Sequence, residues 1–199
     1  MTVKNKFQLK REATYRKLLE AGMASFAEKG YASTTLSDIV ARTGQTKGAF
    51  YGHFPSKEQL FLHVLDYQMQ LTAGWMNVPK QYDPRETTLS EVLAITLERL
   101  SQMLGGAENW ILVLIDFHLQ TKQDPEMQDK LKAKYGEWLG GIEELIAVLQ
   151  EKGWVAPDKD AREIAMQTIA FNEGYTIFSA LFGGTNSHAL IQGLVKLME

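Results

Sequence analysis

Between Thr35 and Lys57 the chain carries side chains that suit one kind of partner: Thr35, Thr46, Lys47, Gly48, Tyr51, His53 and Lys57. Ammonium, hydroxyl and imidazole groups can donate hydrogen bonds to phosphate oxygens, lysine also reaches a guanine edge, and glycine allows close backbone approach. From Thr46 to His53 there is no acidic residue. Singly, Lys47 or Lys57 would be a solvated lysine and Tyr51 a core residue. Together they point to a polyanion, with duplex DNA the natural one. Lys57 also stands at an expected helix start, where open N–H groups and the helix dipole favour a phosphate.

Short, rigid elements must hold such a display, and residues 33–60, STTLSDIVARTGQTKGAFYGHFPSKEQL, supply them. The spacing predicts a helix over 36–42, a tight turn over 43–45, a second helix over 46–53 and a longer one after Pro55. That is a helix-turn-helix, whose second helix enters the major groove with its first residues. Thr35, Thr46 and Ser56 can each cap the helix that follows, Thr35 has Asp38 three residues on, and the Ser56–Gln59 spacing fits a capping box. Gly44 sits where a backbone leaving a helix often needs a positive φ. Leu36, Ile39, Val40, Phe50 and Phe54 supply the apolar contacts that hold both helices to a neighbour.

Around this motif the chain reads as helical. Residues 1–10 form a polar, frayed arm with Lys4, Lys6 and Lys10. A helix over 10–29, with Leu18, Leu19, Met23 and Phe26 on one face, ends at Gly30 and serves as the platform. A helix over 57–76, about 30 Å long, is the natural lever towards whatever follows. Pro79, Asp83 and Pro84 mark a loop over 77–87. Further helices are expected over 88–104, 108–121, 125–152, 158–182 and 187–198, with breaks at Gly105-Gly106, Pro125, Gly153 and Gly183-Gly184. No alternating strand pattern and no repeat is present.

The net charge of −3 conceals an asymmetry. Residues 1–65 hold 10 Lys and Arg against 5 Asp and Glu; residues 66–199 hold 11 against 19. The basic part contains the helix-turn-helix and attracts phosphates irrespective of sequence. No apolar run is long enough for a membrane span, so the expected location is cytoplasmic with no membrane partner. The chain has no cysteine, which excludes disulfides and thiolate metal sites. His53, His63, His118 and His188 are scattered, without metal-ligand spacing. No nucleophile or phosphate-loop constellation is visible, so neither a metal, a cofactor nor an enzymatic activity is expected.

Beyond residue 66 the helices carry aromatic and soft side chains with occasional polar groups. Met103, Trp110, Leu114, Phe117 and His118 come first; Trp138, Thr168, Phe171, Asn172 and Tyr175 follow. An apolar cavity with a few convergent polar groups is what a small-molecule site requires, and its ligand would be largely apolar or aromatic. Any one of these is equally at home in a core. Asn172 and His118 stand out because buried polar groups need partners. On the last two helices Ile177, Phe178, Leu181, Ile191, Leu194 and Val195 leave more apolar surface than two terminal helices can bury, as in one half of a homodimer interface.

From about Arg11 to Leu65 the sequence resembles the DNA-binding domain of the TetR family of bacterial transcription regulators. The matching residues are FAEKGY at 26–31, TTLSDI at 34–39, Gly44, TKGAFY at 46–51 and FPSKEQL at 54–60. Thr43 and Gln45 depart from the family pattern, and both lie in the turn. The resemblance implies an all-α protein in two parts, a three-helix DNA-binding domain over 1–65 and a helical effector-binding and dimerisation domain over 66–199. It further implies a homodimer on a near-palindromic operator, acting as a repressor that a small-molecule effector releases. An activator, a ligand-independent architectural DNA binder and a helical enzyme with an ancillary DNA-binding domain are the other readings.

Overall fold

The computed structural model describes residues 5–104, 110–183 and 186–199. Lys4, Gly105, Gly106, Glu108 and Gly184, which enter the expectations above, lie outside the described residues. Every regular element among the described residues is helical, in the order α1 (Lys6–Lys29), α2 (Leu36–Thr43), α3 (Lys47–Tyr51), α4 (Lys57–Leu71), a 3-10 helix (Trp75–Gln81), α5 (Leu89–Leu104), α6 (Trp110–Thr121), α7 (Pro125–Lys152), α8 (Ala161–Phe182) and α9 (Ser187–Met198). The all-α expectation holds.

The second short helix spans 47–51 instead of 46–53, and three larger differences from the sequence reading each have a local reason. No frayed arm is found over residues 5–10, because Asn5 caps α1: its Oδ1 accepts from Gln8 N at 2.9 Å while Gln8 Oε1 accepts from Asn5 N at 2.9 Å. Helix α4 stops at Leu71 instead of 76; the chain turns at Gly74, φ 107°, and a 3-10 helix replaces part of the expected loop. Helix α8 starts at Ala161 instead of 158, since Asp160 Oδ1 accepts from Arg162 N at 2.9 Å and Glu163 N at 3.1 Å.

The described residues form two compact units, and these do not follow a single cut between 65 and 66. The first unites those of Met1–Gln68 with Leu112–Leu131; the second unites those of Met69–Ile111 with Lys132–Glu199. The physical reason is a ring cluster inside the first unit. Phe117 of α6 stacks on Phe61 of α4 with centroids 4.3 Å apart, and meets the edge of Tyr31 at 4.9 Å. Phe26 joins the same group from α1, 5.3 Å from Phe61. Leu18, Ile39, Phe50, Phe54, Leu60 and Val64 complete a fully buried core.

The second unit has its own core. Trp75 of the 3-10 helix, Val92 and Leu93 of α5, Ile146 and Leu149 of α7, Ile164 of α8, and Leu194 and Met198 of α9 are its buried members. Lys152 Nζ donates to the Lys80 and Tyr82 carbonyls at 3.1 and 3.2 Å, and Trp154 Nε1 donates to Thr87 O at 2.8 Å. Gly193 of α9 faces the Phe171 ring of α8 so closely that a Cβ built there would overlap it. Gly193→Val is therefore expected to cost about 1–3 kcal/mol by overpacking. A thermal melt checks this, and an unchanged midpoint would contradict the packing.

Candidate nucleic-acid interface

Two caps and one turn orient the short helices. Thr35 Oγ1 accepts from Asp38 N at 3.1 Å and Asp38 Oδ2 accepts from Thr35 N at 2.8 Å, a reciprocal capping box. Thr46 Oγ1 accepts from Ala49 N at 3.1 Å and starts α3. Between them Gly44 has φ 64°, in the left-handed region that other residues rarely enter. The two departures from the family pattern meet here. Thr43 Oγ1 donates to Val40 O at 2.9 Å and accepts from Gln45 N at 3.2 Å, so a hydroxyl closes the turn.

Buried Phe50 anchors α3 and leaves the other side outward. Thr46, Lys47, Gly48 and Tyr51 are exposed, Tyr51 at 56%. No described hydrogen bond or ion pair engages Lys47. His53 follows the helix half-buried, its ring 6.0 Å from that of Tyr15. Burial, and after it the Arg11 guanidinium, pushes the His53 pKa down. Gln8, Arg11, Glu12, Tyr15 and His53 line an open cavity of about 390 Å³. The N-terminal part of α1 thus borders His53, just past the end of α3, and Arg11 joins the candidate contact residues. Its signal in the sequence was the basic run that ends in Lys10-Arg11.

Two expected contact residues take other roles in this structure. Lys57 is part-buried, with Nζ donating to Tyr31 O at 2.9 Å and Thr34 O at 3.0 Å and lying 4.2 Å from the Tyr31 ring centroid. Its ammonium clamps the segment before α2 instead of projecting towards a phosphate. Burial lowers its pKa, while the Glu58 and Asp116 carboxylates oppose that shift. Thr35 spends its hydroxyl on the α2 cap, donating to Asp38 Oδ2 at 2.6 Å as well as accepting from Asp38 N.

The candidates for a small-molecule site separate in the same way. Phe117 is core of the first unit, where Leu114 and exposed His118 also lie, so these three do not line a site in the second. Asn172 is exposed and not the buried amide expected. Tyr175 Oη donates to Asn186 O at 2.6 Å and accepts from Asn186 N at 2.8 Å, a brace at the start of α9. Met103, Trp138 and Phe171 pack against the second core, and Trp110 is half-buried. Thr168 Oγ1 is buried without a hydrogen-bond partner among the described residues. On the last helices, Phe178 and Leu181 are 65% and 71% exposed and Phe182, which was not anticipated, 75%. Leu194 is consumed by the chain's own core, with Ile191 and Val195 packed against it and Ile177 half-buried.

A family model for bacterial regulatory proteins of the tetR family matches residues 18–64, inside the first unit. That segment is similar to the DNA-binding part of the TetR family. Among curated relatives, the HTH-type transcriptional regulator YwcC of Bacillus subtilis is 29% identical over 121 residues, 59% of this chain and 54% of that one. The probable acrEF/envCD operon repressor of Escherichia coli is 26% identical over 150 residues, 74% of this chain and 67% of the other. The chain thus spans about half the length of the first relative and two thirds of the second. The TetR-family regulator from Cytophaga hutchinsonii shares the fold with a TM-score of 0.70, at 22% identity over 95% of this chain and 94% of that chain. The regulator FadR from Bacillus subtilis, solved with stearoyl-CoA, gives 0.70 at 18% identity over 92% and 97%.

Within the helix-turn-helix unit, one acid-sensitive link can be tested. Lys29 Nζ lies 2.7 Å from Asp38 Oδ1, and that contact, then the Thr35 hydroxyl and N–H, holds the Asp38 carboxyl far below its usual pKa. A depressed pKa contributes stability above the unfolded value of about 3.9 and loses it as pH falls below. Asp38→Asn should therefore be less stable than wild type at pH 7, with the gap narrowing progressively below pH of about 4. Denaturant midpoints across pH measure it; a gap independent of pH would refute it.

Proposed function

We propose that this chain is a homodimeric transcriptional repressor that binds a near-palindromic DNA operator and leaves it when a small, largely apolar or aromatic effector occupies the second unit. The observation that carries the DNA part is the outward display of Thr46, Lys47, Gly48 and Tyr51 on a helix anchored by Phe50. First residues of such a helix are the ones that reach base edges in the major groove. The repressor sense is supported by the Escherichia coli relative, a probable operon repressor.

For the effector, the candidate contacts in the second unit are Met103, Trp110, Trp138, Thr168 and Phe171. The unpartnered Thr168 hydroxyl supports a ligand that supplies one hydrogen bond within apolar surroundings. A neighbour of the same fold was solved with stearoyl-CoA, which fits a long apolar ligand class. For the dimer, the exposed faces of Phe178, Leu181 and Phe182 on α8 offer apolar surface that a second copy would cover. Two-fold symmetry then sets operator half-sites about 34–36 Å apart or a multiple of that. An effector acts only if it binds the two states with different affinity.

The test starts with selection of duplexes from a random-sequence pool by the purified protein, followed by sedimentation of the complex. A palindromic consensus bound by two chains supports the reading; a non-repeating site bound by one chain contradicts it. A thermal-shift screen of apolar and cationic compounds against the DNA complex follows. Compounds that raise the melting temperature and release the duplex support the effector mechanism, while stabilisation without release opposes it.

A further inference from the structure

We propose that Asp116 of α6, which lies far outside the helix-turn-helix in sequence, is a positioning residue for DNA binding: its carboxylate holds the segment 31–34 where α2 and α3 can be presented. The inference rests on the DNA-binding reading above and adds to it the group that fixes the geometry of the reading head.

Residues 31–34 join α1 to α2 without regular structure, and side chains satisfy several of their backbone groups. The Ala32 N–H donates to Asp116 Oδ2 at 2.7 Å. The Tyr31 and Thr34 carbonyls both accept from Lys57 Nζ of α4. A carboxylate from one helix and an ammonium from another thus grip the same four residues. Thr34 Oγ1 donates to Gly30 O at 2.6 Å and Ser25 O at 3.0 Å, anchoring the far end to α1. The next residue is Thr35, the cap of α2, so the position of this segment is the position at which α2 begins. Asp116 is itself fixed in place, because its neighbour Phe117 is locked between Phe61 and Tyr31. A backbone N–H bonded to an ionised carboxylate at this length belongs to the stronger class of hydrogen bonds.

The contact is solvent-accessible, which separates positioning from folding. When it is removed, water can satisfy the Ala32 N–H, so no buried donor is orphaned and the fold survives. What is lost is the register of α2 and, through the closed turn at Thr43, of α3.

The test uses the full chain and a duplex that the wild type selects from a random-sequence pool, with affinity measured at 25 °C and folding verified by thermal melts. Asp116→Ala is expected to bind about tenfold more weakly, the size of one charge-assisted hydrogen bond. The slope of log affinity against log salt should stay at the wild-type value, since no phosphate contact is removed. Hydrogen exchange at the Ala32 amide should accelerate, and Asp116→Asn, whose amide oxygen still accepts, should restore most of the affinity. A purely structural residue would change affinity only through the unfolded fraction. A folded Asp116→Ala variant that binds within twofold of wild type overturns the proposal, even if Ala32 exchange accelerates. Should the alanine variant not fold, Asp116→Asn carries the test: Ala32 protection with near-wild-type affinity supports it, and protection with affinity lost overturns it. A wild-type chain that selects no duplex refutes the DNA-binding reading itself, and this proposal falls with it.

Discussion

Phe117→Ala is expected to destabilise the protein by about 3–5 kcal/mol, the range for truncating a fully buried aromatic side chain. The ring has no exposed surface, stacks face to face on Phe61 and takes the edge of Tyr31, so alanine leaves a cavity walled by two other rings. Those walls belong to α4 and to the segment after α1, and neither can collapse inward without disturbing Phe26 or the Lys57 clamp. In a chain of this size each kcal/mol lowers the melting temperature by about 2–4 °C. Phe117→Leu keeps most of the apolar volume and should lose far less. Calorimetric melts of both variants decide the matter. A loss below about 1 kcal/mol for the alanine variant would mean that the ring is dispensable to the core, and the unit boundary drawn through α6 would have to be redrawn.

The second large effect separates two lysines that look alike in sequence. Lys47→Ala is expected to weaken DNA binding and, if the ammonium meets a phosphate, to lower the salt slope by about 0.9. If it meets a guanine instead, about 1–3 kcal/mol of discrimination is lost at one base position with little change in slope. Either way the melting temperature stays put, because no described contact of the fold depends on Lys47. Lys57→Ala should behave in the opposite manner. It leaves the Tyr31 and Thr34 carbonyls without their shared donor and removes the cation from the Tyr31 face, so the melting temperature falls while the salt slope is retained. Equal losses of slope in both variants would return Lys57 to the DNA surface.

Those two lysines show what could and could not be read from the chain beforehand. Hydroxyl caps at Thr35 and Thr46 and the glycine at 44 are local signals, each acting within a few residues, and the helix-turn-helix they outline is present. The direction in which a lysine points is not local. Lys57 turns inward because two carbonyls of a segment over twenty residues earlier converge on it, and no spacing rule carries that information. In sequence Phe117 suits a ligand wall as well as a core, because an aromatic on an apolar helix looks the same whichever core it joins. Asn172 is exposed although its spacing suits a buried amide, because helical spacing alone does not say which face of α8 is covered. The capping box at Asn5 and Gln8 was legible in principle, but it sits inside a basic stretch whose charge suggested an arm.

The ring cluster around Phe117 also bears on how the protein is made. Chains are synthesised from the N-terminus at about 5–20 residues per second and fold as their parts emerge. Here the helix-turn-helix leaves the ribosome early, but the core beneath it is closed only by residues 112–131, after the whole of 69–111 has been translated. For several seconds each nascent chain therefore carries the reading helix on an unfinished support. A premature stop ahead of Phe117 would release a polypeptide with every residue of the motif and no completed head, and such an allele should behave as a simple loss of function instead of a fragment that competes for the operator.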